Sequence, residues 1–226
     1  MSNITDYVDV IYYINLDNRA DRNEEFLKEM EKLNIPEEKI VRIPAIYNKE
    51  RGHVGCALSH IKTINQFIES KYNTCIIFED DFEFAQEPEY INDMIDTLHN
   101  NNVDYDVCML AGNIYESEPV PEYPFLKKAT RVFTASGYML SKKFAPTLLQ
   151  NFTEASEKLD KSYDEREQFK DIEPEKYGYG YDGEYAVDQY WTSLQKTNNW
   201  YIFYPKLGKQ RSSYSDIMKG VVNYNM

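Results

Sequence analysis

Three consecutive acids, Glu79, Asp80 and Asp81, follow directly on the apolar run Cys75-Ile76-Ile77-Phe78. Carboxylates crowded at the end of a buried segment repel one another and resist leaving water, so they need a cation beside them. A hard divalent ion, Mn2+ or Mg2+, meets that need, because such ions take one or two carboxylates together with the phosphate oxygens of a substrate. The competing reading is an acidic turn that caps a strand and faces solvent. The chain carries 38 Asp and Glu against 25 Lys and Arg, a net charge of −13, so a phosphate-bearing ligand requires local basic side chains or a bridging cation. Arg19 and Arg22 follow the first apolar segment, and Lys206, Lys209 and Arg211 lie near the C-terminal end. Both sets can converge near strand ends. Equally, each can be a solvated surface charge, and the arginines can pair with Asp17 or Asp21.

The same negative charge excludes a nucleic-acid binder that relies on a basic face. Neither GxGxxG nor GxxxxGK[ST] occurs, which argues against dinucleotide and Walker-type chemistry, and there is no GxSxG elbow. Cys56, Cys75 and Cys108 sit in apolar surroundings without paired spacing and are expected to be reduced thiols of a cytoplasmic protein. None of the three histidines stands at zinc-like spacing from a cysteine, so a structural zinc is not expected. The 20 tyrosines suit half-buried packing, with sugar stacking as the sharper alternative. No apolar run reaches the roughly 18 residues of a membrane span, and the start lacks a basic segment followed by an apolar one. The expectation is a soluble protein without a transmembrane segment.

The elements that must position these residues alternate. Residues 8–16 form an almost unbroken β-branched and aromatic run, as expected of a strand covered on both faces. Phe26, Met30 and Leu33 recur at helical spacing and stop before Pro36. A short strand follows over 40–46, then a helix from Gly55 carrying Leu58, Ile61, Ile64, Phe67 and Ile68, then the strand 75–78. This order predicts an α/β fold with a mostly parallel central sheet flanked by helices, whose ligands gather at the carboxyl ends of the strands. Further strands are expected over 107–110, 131–134 and 200–204, with helices over 90–98, 141–151 and 186–194. Residues 151–183 read as an insertion or mobile loop, and Pro205 opens a polar tail. There is no internal repeat or low-complexity linker.

Several blocks together resemble glycosyltransferase family 25, which contains bacterial lipooligosaccharide galactosyltransferases and collagen galactosyltransferases. They are residues 10–16 with Arg19, Asp21 and Arg22, then Gly52-His53-Val54-Gly55-Cys56-Ala57-Leu58-Ser59-His60, and Ile77-Phe78-Glu79-Asp80-Asp81. Further along come Ala135-Ser136-Gly137-Tyr138-Met139-Leu140-Ser141, Val187-Asp188-Gln189-Tyr190-Trp191, and Pro205 with Gln210 and Ser215-Asp216-Ile217. The resemblance runs in order over about 8–217. It implies a GT-A-type nucleotide-diphospho-sugar transferase fold in a single domain, with a donor half over about 8–110 and an acceptor half with a C-terminal lid over about 111–217.

The implied activity is transfer of galactose or glucose from a UDP-sugar, with inversion, to a glycan or hydroxylysine-type acceptor. Glu79-Asp80-Asp81 would be the family's DxD-like motif: Asp81 and Asp80 would hold Mn2+ or Mg2+, and Glu79 would face the ribose or nucleotide. Asn15, Leu16, Arg19 and Arg22 would hold the nucleotide. Ser59 and His60 would reach uridine or donor sugar, although His60 suits packing equally well. Gln210, Ser215 and Asp216 would close over the diphosphate, Gln210 standing where many such enzymes place a metal-binding His. Asp188 is the candidate base for the acceptor hydroxyl, with Asp182 and Glu184 as rivals and a helix-start carboxylate as the bland alternative. Two other readings stay open: a Mg-dependent phosphotransfer or phosphatase domain, and a non-catalytic sugar-binding relative. Acceptor contacts are expected in 115–128 and 151–183.

Overall fold

The computed structural model describes residues 3–169, 171–173, 183–215 and 220–222. Its elements in chain order are β1 (Val10–Asn15), α1 (Ala20–Lys32), β2 (Ile40–Pro44), α2 (Gly52–Glu69), β3 (Thr74–Glu79), β4 (Phe82–Phe84), α3 (Pro88–Asn100), β5 (Val107–Met109), β6 (Asn113–Pro119), β7 (Leu126–Phe133), β8 (Gly137–Ser141), α4 (Ala145–Phe169), the single turns α5 (Val187–Tyr190) and α6 (Thr192–Gln195), β9 (Trp200–Phe203), β10 (Gly208–Gln210), β11 (Ser213–Ser215) and β12 (Gly220–Val222).

Eight strands form one sheet in the order β2-β1-β3-β8-β5-β9-β7-β6. β1 pairs in parallel with β2 and β3, and β5 in parallel with β9, whereas β8 runs antiparallel to both β3 and β5. β7 also runs against its neighbours β9 and β6. Six strands therefore point one way and two the other, a mixed sheet that is mostly parallel in direction.

Alternation along the strands explains why the first and third strands are apolar throughout. Val10, Tyr12 and Ile14 face one core with Cys75 and Ile77, while Ile11 and Tyr13 face the other with Ile76 and Phe78. The first core is closed by Ile64 and Phe67 of α2 and by Leu148, Phe152 and Ala155 of α4; the second by Phe26 and Met30 of α1 and Ile91 and Ile95 of α3. Each large apolar side chain among these, buried fully, stabilises the fold by about 1.5–3 kcal/mol.

Two expectations need correction. Most of residues 151–183 is not a loop: α4 continues to Phe169, because Ala145, Leu148, Phe152, Ala155 and Leu159 keep a three-four spacing that buries one stripe. Residues 174–182 lie outside the described ones. The tail is also more ordered than a polar extension, since β10 pairs antiparallel with β4, Gln210 opposite Phe82. Gly208 is required there: a Cβ would stand 2.2 Å from Cζ of the buried Phe82. Among the described residues no helix is long and apolar enough to cross a membrane.

Candidate active site

β1, β2 and β3 end side by side, and a cleft opens at their carboxyl ends. Leu16 follows β1, Ala45 to Asn48 follow β2, and Glu79 to Asp81 end β3; Gly52, Cys56, Ser59 and His60 of α2 and Gln210 of β10 complete the wall. This is the position that a parallel strand–helix–strand layout dictates.

The three acids do not converge on one point. Glu79 turns toward α2, where its Oε1 lies 3.1 Å from His60 Nε2 and 3.7 Å from Cys56 Sγ. Asp80 turns toward α1, accepting from Asn15 Nδ2 at 2.7 Å through Oδ2 and from Arg22 Nη1 at 2.8 Å through Oδ1. Asn15 is itself fixed by Arg42 Nε, which donates to its Oδ1 at 2.9 Å. Asp81 Oδ2 accepts from Gln210 Nε2 at 3.1 Å and lies 3.2 Å from Arg22 Nη1. Its Oδ1 is buried without a hydrogen-bond partner among the described residues.

Electrostatics separate the three. Burial opposes ionisation of Glu79, but His60 and Arg22 together hold its pKa below the usual value. Burial pushes Asp80 up despite Arg22 and Asn15. Asp81 is pushed up to about 7 by burial and by the charges of Glu79 and Asp80, against the pull of Arg22. One arginine thus neutralises part of a triplet that would otherwise repel itself, and Asp81 keeps the unsatisfied oxygen.

Other anticipated residues take definite places. Ser59 Oγ donates to Gly55 O at 2.7 Å and accepts from Ile46 N at 2.8 Å, tying α2 to the loop after β2. Gly55 permits that approach, since a Cβ there would meet Ile46 O at 2.6 Å. His60 is fully buried between Glu79 and Tyr138, whose Oη is 3.1 Å from its Nδ1. Arg19 pairs with Asp21 at 2.8 Å and is not among the residues lining the cleft. Of the tail cations, Lys209 pairs with Glu83 and Arg211 with Glu25 and Glu83, while Lys206 donates to Gly112 O. Ser215 contributes backbone pairing to β11 opposite Gly220; Asp216 and Asp182 lie outside the described residues. Glu184 is exposed in a short 3-10 turn.

Asp188, in the first turn of α5, is half-buried and accepts from the Thr134 amide at 3.0 Å. Burial and the charge of Glu79 raise its pKa, with the Thr134 amide opposing. Thr134 also lines a second hollow with Asn113, Lys206 and Lys209, and Gln210 belongs to both that hollow and the cleft.

Sequence reasoning missed Cys56, Thr134 and the rim residues Tyr47 and Asn48. Cys56 was detectable, because Cys56-x3-His60 places two metal-binding groups on one helical face, a spacing unlike that of a zinc finger. Thr134 carries no such mark, since its role depends on a backbone angle.

The sequence profile of glycosyltransferase family 25, described as LPS biosynthesis proteins, matches residues 50–163, half of the chain. The chain belongs to glycosyltransferase family 25. It is therefore a glycosyltransferase, with a sugar donor and a glycan acceptor as its substrates. The matched span contains Ser59, His60 and the three acids; Asp188 and Gln210 lie beyond it. Among solved structures, mannose-1-phosphate geranyltransferase from Thermus thermophilus is similar at 11% identity and a TM-score of 0.44, covering 93% of this chain and 76% of its own. The protein A197 from STIV is similar at 9% identity and a TM-score of 0.45, covering 97% of this chain and 100% of its own. No curated protein matches the sequence.

Proposed function

We propose that this family 25 glycosyltransferase moves a hexose, galactose or glucose, from a UDP-sugar to a hydroxyl of a glycan or hydroxylysine-type acceptor, with inversion and with Mn2+ or Mg2+ as cofactor. The observation that supports this most is the unsatisfied Oδ1 of Asp81 at the cleft floor beside a second carboxylate. A buried carboxylate oxygen without a donor is costly, and an all-oxygen set of this kind suits a hard divalent cation. Asp81, assisted by Asp80, would hold the ion. When bound, it would neutralise charge on the diphosphate leaving group.

The remaining work falls to the chain's own groups. Arg22 and Asn15 hold Asp80 in place. Tyr47 and Ile46, both exposed on the rim, offer an apolar surface for the nucleobase, and Leu16 and Asn48 line the same wall. Asp188 accepts the proton of the acceptor hydroxyl as that oxygen attacks the anomeric carbon from the face opposite the diphosphate. The acceptor enters through the hollow by Thr134, and Gln210 stands at the border between the two substrates.

The test is turnover against a panel of UDP-sugars with Mn2+, reading released UDP, in the wild type and in Asp81→Asn. One donor preferred above the rest, with loss of turnover in a folded Asp81→Asn, is expected. Release of inorganic phosphate without UDP, or full activity in Asp81→Asn, would overturn the proposal.

A further inference from the structure

Cys56 and His60 are four residues apart on α2 and share a face, and Glu79 reaches them from the end of β3. Their donor atoms all lie within 4.8 Å of one another. Two edges of this triangle are short, 3.7 Å from Cys56 Sγ to Glu79 Oε1 and 3.1 Å from His60 Nε2 to the same oxygen. Zinc bonds of about 2.0–2.3 Å to nitrogen, oxygen and sulfur in a tetrahedron set donor–donor spacings of roughly 3.3–3.8 Å. The triad therefore already stands near coordination spacing, and small side-chain rotations complete it.

Three further features match a cation site. The second ring nitrogen of His60 lies 3.1 Å from Tyr138 Oη, the outer partner that fixes ring orientation in metal-binding histidines. All three residues line the open cleft, which leaves a fourth position for water. The donor set of sulfur, nitrogen and oxygen also differs in kind from the all-oxygen set at Asp80 and Asp81, so it selects a softer ion.

We propose that Cys56, His60 and Glu79 form a second metal site, taking a thiophilic divalent cation of the zinc class and separate from the carboxylates at 80 and 81. Binding releases one proton to solvent, from the Cys56 thiol. His60 Nε2, which donates to the Glu79 carboxylate in the metal-free site, gives up its proton while Nδ1 takes one and donates it to Tyr138 Oη, so the ring gains and loses one proton and presents the Nε2 lone pair to the ion. Because Glu79 then turns from His60 to the metal within the cleft wall, occupancy changes the surface that any cleft ligand meets.

The test uses Cd2+ alone as a probe on the full, reduced chain, following the thiolate-to-cadmium charge-transfer absorbance in the ultraviolet, with Zn2+ as competitor. One equivalent is expected to bind and to be displaced by Zn2+. The absorbance should vanish in Cys56→Ser, weaken at least tenfold in affinity in His60→Gln, and persist within threefold in Asp81→Asn. No absorbance in the wild type, undiminished absorbance in Cys56→Ser, or its loss in Asp81→Asn would overturn the proposal. A measurement without variants covers a substitution that fails to fold: alkylation of Cys56, located by peptide mass, should slow at least tenfold with one equivalent of Zn2+ and not with Mn2+. Equal rates with and without Zn2+ would also overturn it. No arm reads turnover, so the outcome is independent of the proposed transferase reaction.

Discussion

The backbone amide of Thr134 donates to the Asp188 carboxylate at 3.0 Å from a φ of 78°. A β-branched residue adopts that left-handed conformation only under constraint, at a cost of about 1–3 kcal/mol. Here the constraint points a main-chain donor at a carboxylate, and Asn113 Nδ2 pins the same residue by donating to Thr134 Oγ1 at 3.1 Å. In Asp188→Asn the amide oxygen can still accept from Thr134, so the shape survives while the proposed proton acceptor is lost. The expected result is a kcat lower by about 10²–10⁴, with donor KM within a few-fold. Unchanged transfer would remove Asp188 from the base role.

Arg22 stands between two buried carboxylates, 2.8 Å from Asp80 and 3.2 Å from Asp81. Arg22→Ala leaves both uncompensated and should destabilise the fold by about 3–5 kcal/mol. On the proposed metal role, addition of Mn2+ should raise the Tm of the variant more than that of the wild type, the ion taking over the missing positive charge. A thermal melt identical to wild type in metal-free buffer would contradict this account.

Gly55→Ala sets two effects against each other. Alanine improves helix propensity by about 1 kcal/mol, yet its Cβ would stand 2.6 Å from Ile46 O, a backbone atom that cannot rotate away. The clash should win, giving a net loss of about 1–3 kcal/mol and weaker donor binding as the loop after β2 is pushed outward. Calorimetry showing stabilisation would mean that the loop yields freely.

Asp9 joins the start of β3 to β1, its Oδ2 accepting from Asn73 N at 2.8 Å and Thr74 N at 3.0 Å. Burial opposes its ionisation, but these amides outweigh burial and lower its pKa. A depressed carboxyl contributes stability above its unfolded pKa of about 3.9 and loses it as pH falls through the folded value. Asp9→Ala should therefore cost about 1–2 kcal/mol at neutral pH, and the gap from wild type should narrow below about pH 4. A gap independent of pH would assign the loss to packing alone.

The cleft side of the fold is largely legible from sequence because its signals are local. Unbroken apolar strands, helical spacing in 26–33 and the acids after Phe78 fix where the first three parallel strands end, and Asn15, Ser59, His60 and Gln210 meet there. The far side is less legible. β8 is hidden because Ala135-Ser136-Gly137-Tyr138 reads as a motif and not as a strand, and β6 because Asn113–Pro119 is mostly exposed and weakly apolar. The divergence of the three acids is also invisible, since which face each side chain takes depends on Arg22, His60 and Gln210 arriving from distant segments.

The placement of β8 carries a consequence for biosynthesis. This strand lies between β3 and β5 in the sheet, yet it is made after both. While a nascent chain is shorter than about residue 141, the edges of those strands that β8 will cover stand open, and such edges invite pairing with other molecules. A fragment ending near residue 110 should therefore aggregate on release from the ribosome, even though it holds all the described cleft-lining residues but Gln210.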